Sequence, residues 1–173
     1  MSDGVVVRHY RKLGLIAAAV ALLLDQLIKY WVTDVLQLSH PLATPIRILP
    51  FFNLTWTKNI GVSMGFLPAD TDLMRWALVA MLSGIAIGVA IWMWREKSRD
   101  DAFGLGLILG GALGNIIDRV RLGYVTDWAD FHIGEYRPFL IFNLADAAIT
   151  FGVLILLARA LLLREKTPST ERR

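Results

Sequence analysis

The sequence has no cysteine, and only three histidines and six prolines among 173 residues. Lack of cysteine excludes disulfides, thiolate nucleophiles and cysteine metal ligands. His9, His40 and His132 are scattered. There is no H-E-x-x-H, no G-x-S-x-G, and no Lys-Ser/Thr after a glycine run. The usual sequence signs of a zinc peptidase, a serine hydrolase elbow and a phosphate loop are therefore missing, and no metal or cofactor is expected. Internal repeats and long low-complexity linkers are missing too. Charge is scarce: 19% of residues are charged, 55% are hydrophobic, and the mean hydropathy is +0.52.

What the chain does contain is apolar runs close to the ~20 residues that cross a bilayer as a helix. The spans are expected at 13–32, 73–94, 102–118 and 139–163, in one membrane-embedded domain covering 1–173. A soluble bundle of long helices is the weaker alternative. The Ala-x-Ala at Ala17–Ala19 falls early in the first run instead of after it, so the run reads as a retained helix. Between the first two spans, 33–72 is polar-mixed and carries Pro41, Pro45, Pro50 and Pro68. Its segment Ile46–Thr57 (IRILPFFNLTWT) is rich in β-branched and aromatic residues, which predicts short strands in a small folded insert. Residues 119–138 read as an amphipathic, interfacial loop. The fold class is an all-α polytopic membrane protein with four spans and a β-rich insert.

The net charge of +3 hints at nucleic acid, but the basic residues cluster at span ends. The N-terminus, the 95–101 loop and the C-terminal tail hold Arg8, Arg11, Lys12, Arg95, Lys97, Arg99, Arg164, Lys166, Arg172 and Arg173. The positive-inside rule then puts both termini in the cytoplasm, with the 33–72 insert and the 119–138 loop outside. No nucleic-acid partner is expected.

Carboxylates at the edges of membrane-length segments are costly to keep and mark function. At ~1.5 Å rise per residue, Asp25 lies roughly 18 Å from the inner edge and Asp146 roughly 10 Å from the outer one. Asp118 and Asp127 sit near the same outer level. Asn115/Asp118 and Asn143/Asp146 repeat an i, i+3 spacing that gives each carboxylate a hydrogen-bonding neighbour. The plain alternative is interhelical amide glue. Asp118 reads first as an ion pair with Arg119. Asp25 and Lys29 form a favourable i, i+4 pair, with Lys29 free to snorkel outward. Asp127 and Asp146 have no obvious local cation. If they meet, one holds a proton, which supplies a base to activate water and an acid for a leaving amine. Gly106, Gly110 and Gly114 in span three, and Gly84 and Gly88 in span two, read as helix-packing stripes. Lys58 and Ser63 are a minor alternative as a Ser/Lys dyad. A proton-coupled transporter and a structural assembly subunit are the rival classes.

The motifs resemble those of the bacterial lipoprotein signal peptidase (signal peptidase II) family. The matching blocks are Asp25-Gln26 with Lys29, Phe52-Asn53-Leu54-Thr55 through Asn59-x-Gly61, and Gly110-Gly111-Ala112-Leu113-Gly114-Asn115 with Asp118-Arg119. Gly123-Tyr124-Val125-Thr126-Asp127 and Phe142-Asn143-Leu144-Ala145-Asp146 complete the set. They run in the family's order over nearly the whole chain. The resemblance implies an aspartyl peptidase of the bacterial inner membrane with a periplasmic β-cradle, working near the periplasmic leaflet. Its substrates would be diacylglyceryl-modified prolipoproteins, cut before the lipidated cysteine, and globomycin would inhibit it. Asp127 and Asp146 match the catalytic pair. Asp25, Lys29, Asn59, Gly61, Asn115, Asp118, Arg119, Asn143 and Ala145 match supporting or substrate-contacting positions. Membrane lipid is the other expected partner, and the chain is expected to act as a monomer. Trp128, Phe131 and Tyr136 are candidates for lipid contact or plain interfacial anchoring. Met64, where an aromatic is usual, and Ala147, where a small hydroxyl is usual, depart from the pattern.

Overall fold

The computed structural model describes residues 10–61 and 72–164. Four long helices carry the fold: α1 (Arg11–Tyr30), α2 (Asp72–Arg95), α3 (Arg99–Leu122) and α4 (Leu144–Arg164). Each is long and apolar enough to cross a membrane. A π-helical turn, Trp31–Val35, extends α1. Strands β1 (Ile46–Leu49), β2 (Phe52–Asn59) and β3 (Val125–Phe131) form one antiparallel sheet in that order. Ser63, Met64 and Pro68 lie outside the described residues.

α3 is the central helix. It packs along α1, α2 and α4, while α2 and α4 do not pack along each other. Glycine explains how three helices crowd one. A methyl group on Gly106 or Gly110 would strike the α1 backbone at Gly14 or Ala18, and one on Gly111 would strike the α4 backbone at Ala145. The facing stripe of α1 is equally small: Gly14, Ala17, Ala18 and Ala21. With lipid outside, such close van der Waals approach is what holds helices together. Gly84 and Gly88 behave differently. Nothing among the described residues lies within 4 Å of a methyl placed on either, so the expected packing stripe on α2 is an open face.

Termination of α3 decides where the chain goes next. Ser98 caps its start, accepting from the Asp101 N–H at 3.3 Å, and Asp100 and Asp101 complement the dipole. At the far end Gly123 adopts φ +86°, a left-handed cap that glycine takes without strain. Arg75 of α2 donates to the carbonyls of Arg119 (2.8 Å) and Val120 (2.5 Å) at the helix end, the first of which also accepts the Gly123 N–H at 3.2 Å. The chain then reverses into β3. Residues 119–138 are thus not one amphipathic loop: the first four close α3 and 125–131 form a sheet strand. The expected third span, 102–118, was cut short at charged Asp118 and Arg119, both of which are tied into the protein.

β3 pairs with β2 through Phe52↔Phe131, Thr57↔Asp127 and Asn59↔Val125, and β2 pairs with β1 through Ile46↔Leu54. Strands in Ile46–Thr57 were expected and are present. Phe142 joins the sheet by exchanging backbone bonds with Ala129 (2.8 and 3.2 Å). The fourth span therefore starts at Leu144, not at 139, and Asp146 lies in its first turn. Under the sheet, Val32, Leu38 and Leu54 form a cluster against which Trp56 and Trp128 pack, so Trp128 is committed to protein contact. Phe131 stacks on Phe142, meets Phe52 at a tilt and is 38% exposed, whereas Tyr136 is 68% exposed.

The two glycine environments predict opposite outcomes. Gly111→Val should destabilise by about 1–3 kcal/mol or more through overpacking against α4. Gly84→Val should leave the thermal unfolding midpoint in detergent unchanged within a degree or two.

Candidate active site

The site forms where the outer ends of α1, α3 and α4 meet the sheet. Its start is a helix cap. Asn143 precedes α4, and its Oδ1 accepts the Asp146 N–H at 2.9 Å; Asp146 Oδ2 returns by accepting the Asn143 N–H at 3.3 Å. This reciprocal capping box is the meaning of the Asn143-x-x-Asp146 spacing. The Asn143 amide also reaches Asp127 Oδ1 at 2.6 Å and Asn115 Oδ1 at 3.2 Å. One asparagine therefore holds both candidate carboxylates.

Asp127 is 2% exposed on β3. Its second oxygen accepts from Asn59 Nδ2 at 2.9 Å, a contact set by the strand register that puts β2 beside β3. Asp146 Oδ1 accepts from Asn115 Nδ2 at 2.8 Å. The pair Asn115/Asp118 repeats the spacing of Asn143/Asp146 but not its bonding: Asn115 serves Asp146, not Asp118. Burial pushes the Asp127 carboxyl up to about 6. The nearby charge of Asp146 adds to this, and the bonds from Asn59 and Asn143 oppose it.

Behind this pair lies a buried ion cluster. Lys29 is 5% exposed and does not snorkel. Its ammonium contacts Asp25 Oδ2 at 2.8 Å, Asp118 Oδ2 at 2.9 Å and Asn115 Oδ1 at 3.2 Å. Asp118 is thus paired with Lys29, not with its neighbour Arg119. Arg119 donates to the Asn115 carbonyl at 3.3 Å, and its charge is felt by Asp146, Asp127 and Asp118. Its Nε is buried without a partner among the described residues. Asp25 Oδ1 accepts the Ala145 N–H at 2.9 Å, and Asp118 Oδ2 accepts the Thr126 N–H at 3.2 Å. Gln26 completes the cluster with a 2.9 Å bond to Asp118 Oδ1.

A cavity of about 520 Å³ opens onto Asp127, lined by Thr57, Asn59, Ile60 and Gly61 on one wall and by Arg137 to Ile141 on the other. Gly61 turns the chain there with its N–H on Asn59 Oδ1 (2.8 Å), which orients the Asn59 amide toward Asp127. Asp130 anchors the second wall through Arg137, at 2.9 and 3.2 Å, and this partner holds its carboxyl below the usual range. Ala147 lines an apolar cleft against α1, so a hydroxyl there would not face the site. No His, Asp or Glu grouping suited to a metal occurs among the described residues.

Every expected supporting residue is described, and Asp25, Lys29, Asn59, Gly61, Asn115, Asp118, Arg119, Asn143 and Ala145 converge here with Asp127 and Asp146; the departure at Met64 lies outside the described residues. Gln26 and Thr126 stood in the matching blocks with no role assigned to them, and sequence reasoning missed Arg75 and the Asp130–Arg137 pair.

A family model described as signal peptidase (SPase) II matches residues 17–162. The chain belongs to the signal peptidase II family. The lipoprotein signal peptidase of Sphingopyxis alaskensis is 57% identical over 157 residues, covering 91% of this chain and 90% of that protein. That of Rhizorhabdus wittichii is 55% identical over 161 residues, 92% of each. A third, from Coxiella burnetii, is 41% identical and covers 89% of this chain and 90% of the relative. Two solved bacterial membrane enzymes, both determined by the in meso method, share the family member's fold. One has a TM-score of 0.79 at 25% identity, covering 96% of this chain and 98% of its own. The other has a TM-score of 0.76 at 26% identity, covering 89% and 96%.

The Asn59 bond favours the ionised form of Asp127, so its loss favours the proton. Asn59→Ala should raise the Asp127 pKa above about 6, read by carbon NMR of labelled aspartate carboxyls during a pH titration.

Proposed function

We propose that the protein is a lipoprotein signal peptidase of aspartyl type, which hydrolyses diacylglyceryl-modified prolipoproteins immediately before the lipidated cysteine. The observation that carries this is the joint grip of Asn143 on Asp127 and Asp146. Family membership and the names of the relatives supply the substrate class.

Two carboxyls held by one residue, Asp127 by the Asn143 side chain and Asp146 by the Asn143 backbone N–H, do not both ionise readily, so they share a proton. Burial pushes the Asp127 carboxyl up to about 6, which favours a proton on it. The ionised carboxylate takes a proton from water as the water oxygen bonds to the scissile carbonyl carbon. The protonated carboxyl meanwhile donates to the carbonyl oxygen. The carboxyl that gave its proton then takes one back from a hydroxyl on the tetrahedral carbon as the other returns its proton to the amide nitrogen; the carbonyl reforms, the C–N bond breaks, the signal peptide acid and the lipidated cysteine amine leave, and the pair is restored. The pair needs neither metal nor covalent intermediate for this sequence.

The cavity at Asp127 suits an extended segment around the scissile bond. α2 and α4 pack on α3 but not along each other, and in this reading a signal helix enters between them from the bilayer, with acyl chains against apolar helix faces. The charge pattern supports cytoplasmic termini and a site near the periplasmic leaflet of the inner membrane. A monomer is part of this reading. A globomycin-type cyclic peptide would occupy the same cavity. The proton-transporter reading is less favoured: Asp25, Asp118, Asp127 and Asp146 gather at one end, and Asp100 and Asp101 at the other are paired with Arg159 at 2.9 Å.

Purified Asp127→Asn and Asp146→Asn should each lose at least ~1,000-fold in cleavage of a lipidated precursor while keeping the wild-type unfolding midpoint. Full activity in either would remove the mechanism, and loss of wild-type activity on adding EDTA would contradict metal independence. Substrate excludes water from the pair and so raises its upper pKa. The alkaline limb of kcat should therefore lie at higher pH than that of kcat/KM.

A further inference from the structure

The buried ammonium of Lys29 holds two carboxylates, and each grips the backbone one residue before a member of the pair. Asp25 Oδ1 accepts from the N–H of Ala145, next to Asp146. Asp118 Oδ2 accepts from the N–H of Thr126, next to Asp127. The third contact of Lys29 is Asn115 Oδ1, whose amide nitrogen donates to Asp146 at 2.8 Å. All three ammonium protons are thereby used. Lys29 touches neither Asp127 nor Asp146, and it does not line the cavity at Asp127. We propose that Lys29 is the positioning residue of the reaction: by clamping Asp25 to Asp118 it sets the separation of β3 from the α4 N-terminus, and with it the spacing of Asp127 and Asp146.

The inference rests on the aspartyl reading above. It differs from a role in stability alone because the three contacts end on the pair by three separate routes. The amide route also fixes orientation. With Asn115 Oδ1 held by Lys29, its nitrogen must face Asp146; without that bond, the amide can turn and present an oxygen to a carboxylate. A displacement of about 1 Å at reacting groups costs on the order of 100-fold in rate.

The test measures kcat, KM and the unfolding midpoint on a lipidated precursor for three proteins. Lys29→Met leaves Asp25 and Asp118 buried without their cation, so its midpoint should fall. The combined Lys29→Met, Asp25→Asn, Asp118→Asn variant removes all three charges and keeps oxygens able to accept from Ala145 and Thr126. Gly114→Ala leaves every charge in place and pushes on Asp25 Oδ2, 2.6 Å from the new methyl. A kcat lower by about 100-fold with KM within about twofold of wild type, in whichever of the last two keeps its midpoint, is expected. Wild-type kcat in either overturns the proposal, as does a rise in KM with kcat unchanged. The aspartyl reading would survive that result if Asp127→Asn and Asp146→Asn remained inactive.

Discussion

A lysine ammonium and two carboxylates packed among helices that cross a bilayer are the constraint on which this fold turns. Lys29, Asp25 and Asp118 are each 5% exposed or less. Removing charges from water costs several kcal/mol per ion, and mutual attraction offsets this only with close geometry and all polar atoms bonded. Here the contacts are 2.8 and 2.9 Å, the remaining carboxylate oxygens are met by Gln26 and the Ala145 N–H, and the Thr126 N–H shares Asp118 Oδ2 with Lys29. The cluster has little freedom. Breaking one member leaves an uncompensated buried charge, typically a loss of 3–5 kcal/mol. α1, α3, β3 and α4 all meet at it, so their relative positions are fixed with it.

Such convergence needs helices that approach closely, which explains the glycines of α3. A methyl on Gly114 would fall on Asp25 Oδ2, and those on Gly110 and Gly111 would fall on α1 and α4. The same helix that is thinned for packing carries Asn115, Asp118 and Arg119 on its last turns. Gly123 and Arg75 then end it, so that β3 begins within a few residues of the cluster. Packing and chemistry are thus consecutive stretches of one element.

Much of this was legible in the residues. Four spans follow from apolar length, and the β1–β2 hairpin from IRILPFFNLTWT, because both signals are local. β3 was not legible: VTDWADF mixes polar and apolar residues, and its strand character comes from pairing with a segment some seventy residues earlier. The start of α4 was misjudged because Phe139–Phe142 are apolar enough to extend the span, yet Phe142 is taken into the sheet by Ala129. Lys29 was expected to reach outward because its partner Asp118 lies 89 residues on. In contrast, Asn143-x-x-Asp146 was readable as a unit, since a capping box is defined within four residues. Local patterns showed through the sequence, and long-range pairings did not.

The arrangement of cations around Asp127 and Asp146 bears on why amides surround them. Among the described residues, no lysine or arginine nitrogen forms an ion pair with either carboxylate; Asn59, Asn115 and Asn143 fill those places. A cation in direct contact would favour ionisation of both groups, leaving no proton to share. Apolar neighbours alone would favour protonation of both, leaving no base. Neutral amides lie between these limits. They hold the carboxylates in place by donation while stabilising the ionised form only moderately. Lys29 and Arg119, kept one residue away, add positive potential without forming a salt bridge. For acid and base chemistry by a single carboxyl pair, that is the electrostatic setting in which one proton between two groups is the stable count.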